Sequence, residues 1–205
     1  MLEFCSLGSG SSGNCTLVQA TDGLTTTRLL VDCGLGVRDL QTRLERAGSS
    51  LEQIDAIFIT HEHSDHIGCA ASLVKRYGIP IWMSRGTYRG IGLPEWGVQL
   101  HFAQDQDVIH YGALQIHPFT VPHDAKEPLQ LCVGDGARKL GILTDLGHST
   151  PHVIEQLQRC DALLLETNHD LDMLSTGPYP AMLKKRVGGD WGHLNNQDAA
   201  AIAQA

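Results

Sequence analysis

Four side chains that can bind a metal ion lie within six residues of each other. The sequence HEHSDH contains His61, His63, Asp65 and His66. The apolar run Ala56–Thr60 that precedes it is typical of a buried strand, and alternate residues of an extended segment point to the same side. His66 follows at the predicted start of a helix and supplies a fourth ligand. Imidazole and carboxylate groups suit zinc, manganese and iron, so this pattern predicts a metal site at the end of a strand.

Three further potential ligands occur downstream. His123 follows the predicted strand Leu114–Val121, and Asp145 follows the predicted strand Leu140–Thr144. His193 lies in the short segment DWGHL. Because the ends of neighbouring strands meet at one edge of a sheet, these side chains can join the first group. The complete set is large enough to serve two metal ions that each keep an open coordination position.

Two familiar motifs do not apply, because one lacks a required histidine and the other lacks a required helix. The metalloprotease motif HExxH requires a histidine at the position of Asp65. The segment Gly8–Gly13 matches the dinucleotide-binding pattern GxGxxG, which must open a helix, but the residues that follow, Cys15–Gln19, predict a strand. Two interpretations of the loop stay open: a Gly/Ser hairpin connection, and a loop whose backbone N–H groups from Ser9–Asn14 bind an anion.

The rest of the sequence predicts the strands and helices that position these residues. Apolar and β-branched runs predict strands at Leu2–Leu7, Cys15–Gln19, Arg28–Asp32, Ala56–Thr60, Pro80–Met83, Leu114–Val121, Leu129–Val133, Leu140–Thr144 and Ala162–Glu166. Helical spacing occurs at Val37–Ala47, at His66–Tyr77 after a cap at Ser64 or Asp65, at Pro151–Arg159 and at Asn195–Gln204. Strands and helices mixed in this way predict sheets covered by helices, an α/β or α+β layered domain.

Composition limits the class of protein. The chain has 205 residues, 42% of them hydrophobic, which is enough for one domain spanning 1–205 with a substantial core. Its net charge of −8 argues against a broad basic face for nucleic acid, but not against a small cationic site. We expect no membrane span and no signal peptide, since neither apolar pattern is present. Six scattered cysteines favour a reducing compartment, so we expect a cytoplasmic protein.

These motifs resemble those of the metallo-β-lactamase superfamily, whose signature is HxHxDH followed by later His, Asp and His ligands. Within the superfamily the chain is similar to the YycJ/WalJ branch at Ser6–Asn14, Glu166–Asp170, Gly177–Pro180 and Gly192–Leu194. The resemblance extends along the chain from Leu2. It implies an αβ/βα four-layer sandwich with the metal centre at one edge.

The resemblance also implies how the ligands are divided between two divalent ions. The first ion is assigned His61, His63 and His123, and the second Asp65, His66 and His193, with Asp145 bridging both. Asp32, at the end of a predicted strand, resembles the aspartate that supports this loop in the superfamily. Zinc is the expected metal, and manganese and iron suit the same donors.

Catalytic and substrate-binding residues follow from the same resemblance. Asp65, Asp145 and His169 are expected to be catalytic, with His148 as the alternative to His169 for the role of proton donor. Substrate contacts are expected from the loop residues Ser11, Ser12, Gly13 and Asn14. The cationic run Lys184–Arg186 is expected to meet phosphate groups, above all through Lys184 and Lys185.

The activity implied is the hydrolysis of phosphodiesters by a two-metal exonuclease acting on DNA or RNA. A bridging hydroxide, formed when two metals lower the pKa of a shared water, would be the nucleophile. The expected partner is therefore nucleic acid or a small phosphodiester. The alternative is a thioester or lactone hydrolase of the glyoxalase type, since the same metal set serves that chemistry.

One departure from the family pattern concerns the C-terminus. Members of the branch normally continue past the Gly-His-Leu segment with another helix, a strand and a second His-Leu element. The present sequence ends within the predicted helix Asn195–Gln204. We therefore expect the sandwich to lack those elements at one sheet edge and at one wall of the cleft.

Overall fold

The computed structural model describes residues 1–205 and contains two β-sheets. The first sheet has six strands in sequence order. Strands β1 to β3 form an antiparallel meander, and β3 to β6 run parallel to one another. The strands are β1 (Leu2–Gly8), β2 (Cys15–Thr21), β3 (Thr26–Val31), β4 (Ala56–Phe58), β5 (Ile81–Met83) and β6 (Leu100–Phe102).

The second sheet has five strands in the order β11-β10-β9-β8-β7. Its neighbouring strands are antiparallel except for β10 and β11, which are parallel. A parallel pair brings the carboxyl ends of both strands to the same edge, and this edge carries part of the site. The strands are β7 (Ile109–Tyr111), β8 (Leu114–Thr120), β9 (Leu129–Gly134), β10 (Lys139–Leu143) and β11 (Ala162–Leu165).

Eight α-helices connect and cover the sheets. None of them is long and apolar enough to cross a membrane. They are α1 (Val37–Arg46), α2 (Ser64–Ile67), α3 (Ala70–Tyr77), α4 (Arg85–Gly90), α5 (Pro151–Leu157), α6 (Leu171–Thr176), α7 (Ala181–Val187) and α8 (Asn196–Gln204).

Apolar side chains form three buried layers. The middle layer lies between the sheets and joins Val18, Leu29 and Phe58 to Ile116, Leu131 and Ile142. An outer layer packs α1 and α3 on the first sheet, for instance through Leu40 and Leu73. The other outer layer packs α5 and α8 on the second sheet, through Val153 and Ile202 among others. Helix, sheet, sheet and helix therefore follow in that order, and the predicted αβ/βα layered fold is confirmed.

The structure differs from the sequence prediction around the metal-binding motif. The helix predicted over 66–77 is two helices, α2 and α3, and α2 already begins at Ser64. Its N-terminal cap is His63, without a side-chain capping bond, rather than Ser64 or Asp65. The break occurs at Gly68, whose φ of 26° is unfavourable for other residues. A Cβ there would lie 2.3 Å from the Cys33 carbonyl oxygen, so close backbone contact ends the helix.

Candidate metal centre

Three histidines meet where β4 and β8 end. His63 Nδ1 lies 3.0 Å from His61 Nε2 and 3.3 Å from His123 Nε2. His123 Nδ1 lies 3.0 Å from the carbonyl oxygen of Gly192. Because a carbonyl oxygen only accepts, His123 carries its proton on Nδ1 and its lone pair on Nε2. A neutral imidazole has one N–H and one nitrogen with a free lone pair. Where the lone pairs of several histidines face the same point, they can bind one cation together.

His66 is fixed between two carboxylates. Its Nδ1 lies 2.7 Å from Asp32 Oδ2, and its Nε2 lies 2.6 Å from Asp145 Oδ2. Asp32 is buried, and its Oδ1 accepts the Thr60 backbone N–H at 2.8 Å. Burial lowers the pKa of His66, but the carboxylates of Asp32 and Asp145 outweigh burial and raise the pKa to about 10. A positive charge is therefore favoured between these carboxylates.

Asp145 lies where the histidine groups meet. Its Oδ2 is 3.9 Å from His61 Nε2, and its Oδ1 is 2.9 Å from His193 Nδ1. The short contact of Oδ2 with His66 lacks hydrogen-bond geometry, so this buried oxygen has no hydrogen bond. A buried carboxylate oxygen without a hydrogen bond is stabilised by a neighbouring cation, which here is either the His66 imidazolium at 2.6 Å or a metal ion in its place. The donor types and this orphaned oxygen fit divalent metal ions at this position.

His193 has carboxylate partners on its Nδ1 side. Besides Asp145, it contacts Glu166 Oε1 at 2.7 Å. Burial lowers the pKa of His193, but hydrogen bonds to Asp145 and Glu166 outweigh burial and raise the pKa to about 10. The ligand-like groups in the structure are His61/His63/His123, His61/His66/Asp145 and Asp145/Glu166/His193. The predicted set of Asp65, His66 and His193 is not among them.

Asp65 lies at the rim of the cluster. Its Oδ2 is 3.7 Å from His66 Nε2 and 3.4 Å from Asn14 Nδ2. Asn14 also places Nδ2 3.0 Å from His66 Nε2. Asn14, predicted to bind substrate, is therefore packed against the metal centre.

A cavity of about 650 Å³ opens over the cluster. Asp65, Asp145 and His193 line it, together with His169. His169 Nε2 is buried without a hydrogen-bond partner. The alternative proton donor, His148, does not line the cavity, and its Nδ1 lies 2.8 Å from the Asp190 carbonyl oxygen.

The glycine-rich loop joins β1 to β2 as a hairpin, so no dinucleotide-binding helix follows it. Several of its backbone donors are used within the protein. Gly10 N–H donates to Asn14 Oδ1 at 3.0 Å, Gly13 N–H to Gly10 O at 2.9 Å, and Asn14 N–H to Asp65 O at 2.7 Å. Of the predicted substrate residues, Ser11 and Asn14 line the cavity, whereas Ser12 and Gly13 do not. The backbone N–H groups of Ser9, Ser11 and Ser12 have no acceptor within the protein, and Ser9 and Ser11 line the cavity.

The cationic residues on α7 do not all reach the cavity. Lys184 and Lys185 do not line the cavity, and Lys184 Nζ donates to the Ser175 carbonyl oxygen at 2.7 Å. The next residue, Arg186, does line the cavity. Its Nε donates to Asp124 Oδ2 at 2.6 Å. Of the predicted cationic run Lys184–Arg186, the structure thus brings Arg186, and neither lysine, to the cavity.

Glu166 was not predicted as a site residue, although the sequence contained a signal for it. It directly follows β11, just as Asp145 closely follows β10. These strands are parallel and pair Leu143 with Leu165, so the residues after them share one edge. Asp124 had no such signal, because its contact with Arg186 joins a loop to a distant helix.

Comparisons with known proteins agree with this architecture. The family model of the β-lactamase superfamily domain matches residues 27–205. Exodeoxyribonuclease YycJ of Bacillus anthracis is 34% identical over 203 residues, covering 97% of this chain and 75% of the relative. Exodeoxyribonuclease WalJ of Streptococcus pneumoniae is 32% identical over 203 residues, covering 97% of this chain and 74% of the relative.

A solved structure extends the comparison to the fold. The metallo-β-lactamase fold protein YhfI of Bacillus subtilis superposes with a TM-score of 0.76 at 19% identity, covering 100% of this chain and 82% of that chain. At this identity the likeness concerns the fold alone. The sequence matches go further, since they extend over nearly the whole chain. The chain therefore belongs to the metallo-β-lactamase superfamily, in the branch of the YycJ and WalJ proteins.

Proposed function

We propose that this protein is a two-metal phosphodiesterase that removes nucleotides from the ends of DNA. Family membership and the cluster of histidines and carboxylates make it a metal-dependent hydrolase. Two relatives that align over nearly the whole chain are exodeoxyribonucleases, which supports DNA as the substrate. The cavity above the cluster, about 650 Å³, has the size of a site for a small ligand or a nucleotide.

The observation that carries the proposal is the position of Asp145. Its Oδ2 faces His66 and His61, and its Oδ1 faces His193. A carboxylate has two oxygens and can therefore serve two cations at once. We assign Asp145 as the ligand shared by both ions.

The other ligands follow from the same groups. His61, His63 and His123 would hold one ion, and His66 would join Asp145 at the second. Asp65 and His193, which the sequence also predicts as ligands of the second ion, lie beside it. Zinc is the metal expected first, and manganese or iron suits the same donors. When bound, such a pair supplies Lewis acidity that lowers the pKa of water and stabilises charge on a phosphoryl oxygen.

The protein's own groups orient the reactants. Asp32 holds His66 Nδ1, so that His66 Nε2 faces Asp145. His169 places an unpartnered Nε2 beside the cavity, and we assign it the transfer of a proton to the leaving group or the anchoring of a phosphate oxygen. Asp65, at the rim of the metal centre, is assigned a catalytic role there.

Substrate contacts are proposed for two surfaces. The first is the hairpin loop, where Ser11 and Asn14 line the cavity and Ser12 and Gly13 lie between them in sequence, outside the lining. Lys184 and Lys185, on α7 outside the cavity, can attract more distant phosphates of a longer strand through charge. A reducing, cytoplasmic setting suits the six cysteines, none of which forms a disulfide.

The test assays protein of defined metal content on a panel of substrates. Metal-free protein is loaded with zinc, manganese or iron(II). It is then assayed on bis(p-nitrophenyl) phosphate, on DNA oligonucleotides labelled at either end, and on S-lactoylglutathione. We expect stepwise shortening of DNA and hydrolysis of the simple diester.

Two variants test whether the hydrolysis depends on the candidate metal centre. Asp145→Ala is expected to abolish hydrolysis, while His110→Ala, an exposed histidine of β7 away from the cavity, retains it. Hydrolysis of the thioester with every diester left intact would instead assign the enzyme to the glyoxalase type. Cleavage of circular DNA, with linear DNA not shortened from its ends, would contradict the proposed exonuclease activity.

A further inference from the structure

Arg186 is the only lysine or arginine that lines the cavity. The carboxylates Asp65, Asp145 and Glu166 line the same cavity, and the whole chain carries a net charge of −8. A phosphodiester that enters such a site meets electrostatic repulsion from every carboxylate that a metal does not neutralise. A fixed cation at the cavity wall therefore bears directly on substrate binding.

Asp124 holds the Arg186 guanidinium on one side. Nε donates to Asp124 Oδ2 at 2.6 Å, and Nη2 lies 3.4 Å from Asp124 Oδ1. The same Oδ1 is 3.4 Å from His123 Nε2 and 3.6 Å from His63 Nε2. Asp124 thus joins the guanidinium to the edge of the histidine cluster.

The guanidinium still has donors available. Of its five N–H groups, Asp124 engages the Nε group and one on Nη2, and no protein group accepts from Nη1. The Arg186 side chain is 54% exposed in spite of its ion pair. Unlike an ordinary ammonium, a planar guanidinium can keep one carboxylate partner and present a second edge to a phosphate.

The backbone at Arg186 is held by the segment that carries His193. A Cβ on Gly192 would lie 2.0 Å from Arg186 O and 2.4 Å from Val187 O. The His193 N–H donates to Val187 O at 2.8 Å. Because the end of α7 packs directly on this segment, Arg186 and His193 keep a defined separation.

We propose that Arg186 binds a substrate phosphate adjacent to the one that is cleaved, with Asp124 as the positioning residue that aims the guanidinium. This inference rests on the proposed phosphodiesterase function and deepens it, because it makes the enzyme prefer substrates with a neighbouring phosphate. A nucleic-acid strand has such a phosphate, and a simple diester has none.

The first test compares KM values for two substrates of the metal-loaded enzyme. Arg186→Gln should raise KM for a DNA oligonucleotide about 10- to 100-fold, since charge-assisted hydrogen bonds are lost. The rise should be several-fold smaller for bis(p-nitrophenyl) phosphate. Arg186→Lys, which keeps the charge but not the planar fork, should fall in between. An equal rise for both substrates, or none for the oligonucleotide, would overturn the assignment.

A matched control separates this contact from general charge effects. Arg138→Gln removes the same charge and also breaks an ion pair, with Asp161, but lies outside the cavity. Its KM values should stay within about twofold of the parent. An effect of Arg138→Gln equal to that of Arg186→Gln would contradict a specific contact at the cavity.

A binding measurement keeps the inference testable without turnover. Fluorescence anisotropy with a labelled phosphorothioate oligonucleotide reports the affinity of the metal-loaded protein directly. The slope of log affinity against log salt should become shallower by about 0.7 to 0.9 in Arg186→Gln, the value of one lost phosphate contact. Asp124→Asn should weaken binding with metal content unchanged. If the parent binds DNA through Arg186 but cleaves no diester, the proposed function fails while this contact stands.

Discussion

His66 Nδ1 lies 2.7 Å from Asp32 Oδ2, on the side of the ring opposite to Asp145. Asp32 has a φ of 62°, in the left-handed region, where aspartate and asparagine are the non-glycine residues found most often together with histidine. Three contacts hold it there: the ring of His66, and the backbone N–H and hydroxyl of Thr60. The left-handed backbone at Asp32 and these three contacts together fix the carboxylate that orients the His66 imidazole.

We predict that Asp32→Asn weakens metal binding about 10- to 100-fold, as is usual when the hydrogen-bond partner of a ligating histidine is lost. Asparagine tolerates the left-handed conformation, so the change tests the carboxylate rather than the backbone. Chelator competition measures the affinity. Asp22→Asn, at an exposed turn, is the control. Equal metal affinity in the two variants would contradict the role of Asp32.

A second prediction concerns metal stoichiometry. The parent protein should bind close to two divalent ions, because its ligand groups share His61 and meet at Asp145. Asp145→Ala should lose one of them and nearly all activity, whereas His110→Ala should lose neither. Elemental analysis after metal loading and removal of excess ion provides the measurement. A parent that saturates at a single ion would refute the shared ligand.

The sequence alone was enough to predict the position of residues that follow the end of a strand. His61, His123 and Asp145 each follow an apolar strand, and strand ends at one edge must converge. Short strands were harder to predict: β6 and β7 have three residues each, none of them fully buried, and no apolar run. They exist because β5 and β8 provide hydrogen-bond partners, which no local pattern reveals.

Long-range packing explains the other differences. The predicted helix over 66–77 breaks because Gly68 approaches the backbone at Cys33, a contact between distant segments. Similarly, three consecutive cationic residues of α7 look alike in sequence. In the structure Arg186, rather than Lys184 or Lys185, reaches the cavity, and the end of that helix packs closely on Gly192.

His169 provides a third prediction. Its Nε2 is buried beside the cavity without a partner, and positioned proton transfer typically contributes about 10²- to 10⁴-fold. His169→Ala should reduce kcat by that order while leaving metal content intact. Steady-state kinetics and elemental analysis are carried out on the same sample. Loss of metal would instead make His169 a ligand or its support, and full activity would make it an ordinary surface histidine.

Gly192 provides a fourth prediction, about stability. A Cβ at this position would lie 2.0 Å from Arg186 O, so the backbone must move to accept alanine. Gly192→Ala should lower the free energy of unfolding by about 1–3 kcal/mol, the usual cost of overpacking. Urea denaturation measures it. Gly36→Ala is the matched control, because nothing lies within 4 Å of a Cβ there, and a similar loss in both variants would show that Gly192 is not constrained.

The last prediction concerns metal removal. Asp32, Asp65, Asp145 and Glu166 lie in or beside the histidine cluster, and Asp145 Oδ2 has no hydrogen bond. A divalent ion that binds the folded protein and not the unfolded chain stabilises it by mass action, by about 2.7 kcal/mol when the free ion is at 100 times its Kd. Thermal unfolding in buffered zinc should therefore occur at a higher Tm than in excess chelator, and the difference should shrink in Asp145→Ala. Manganese and iron(II) are compared at matched free concentrations, and zinc is expected to give the largest shift at the lowest concentration because its affinity for nitrogen and oxygen ligands is the highest of the three. A Tm that no divalent ion changes would contradict a metal centre built from these residues.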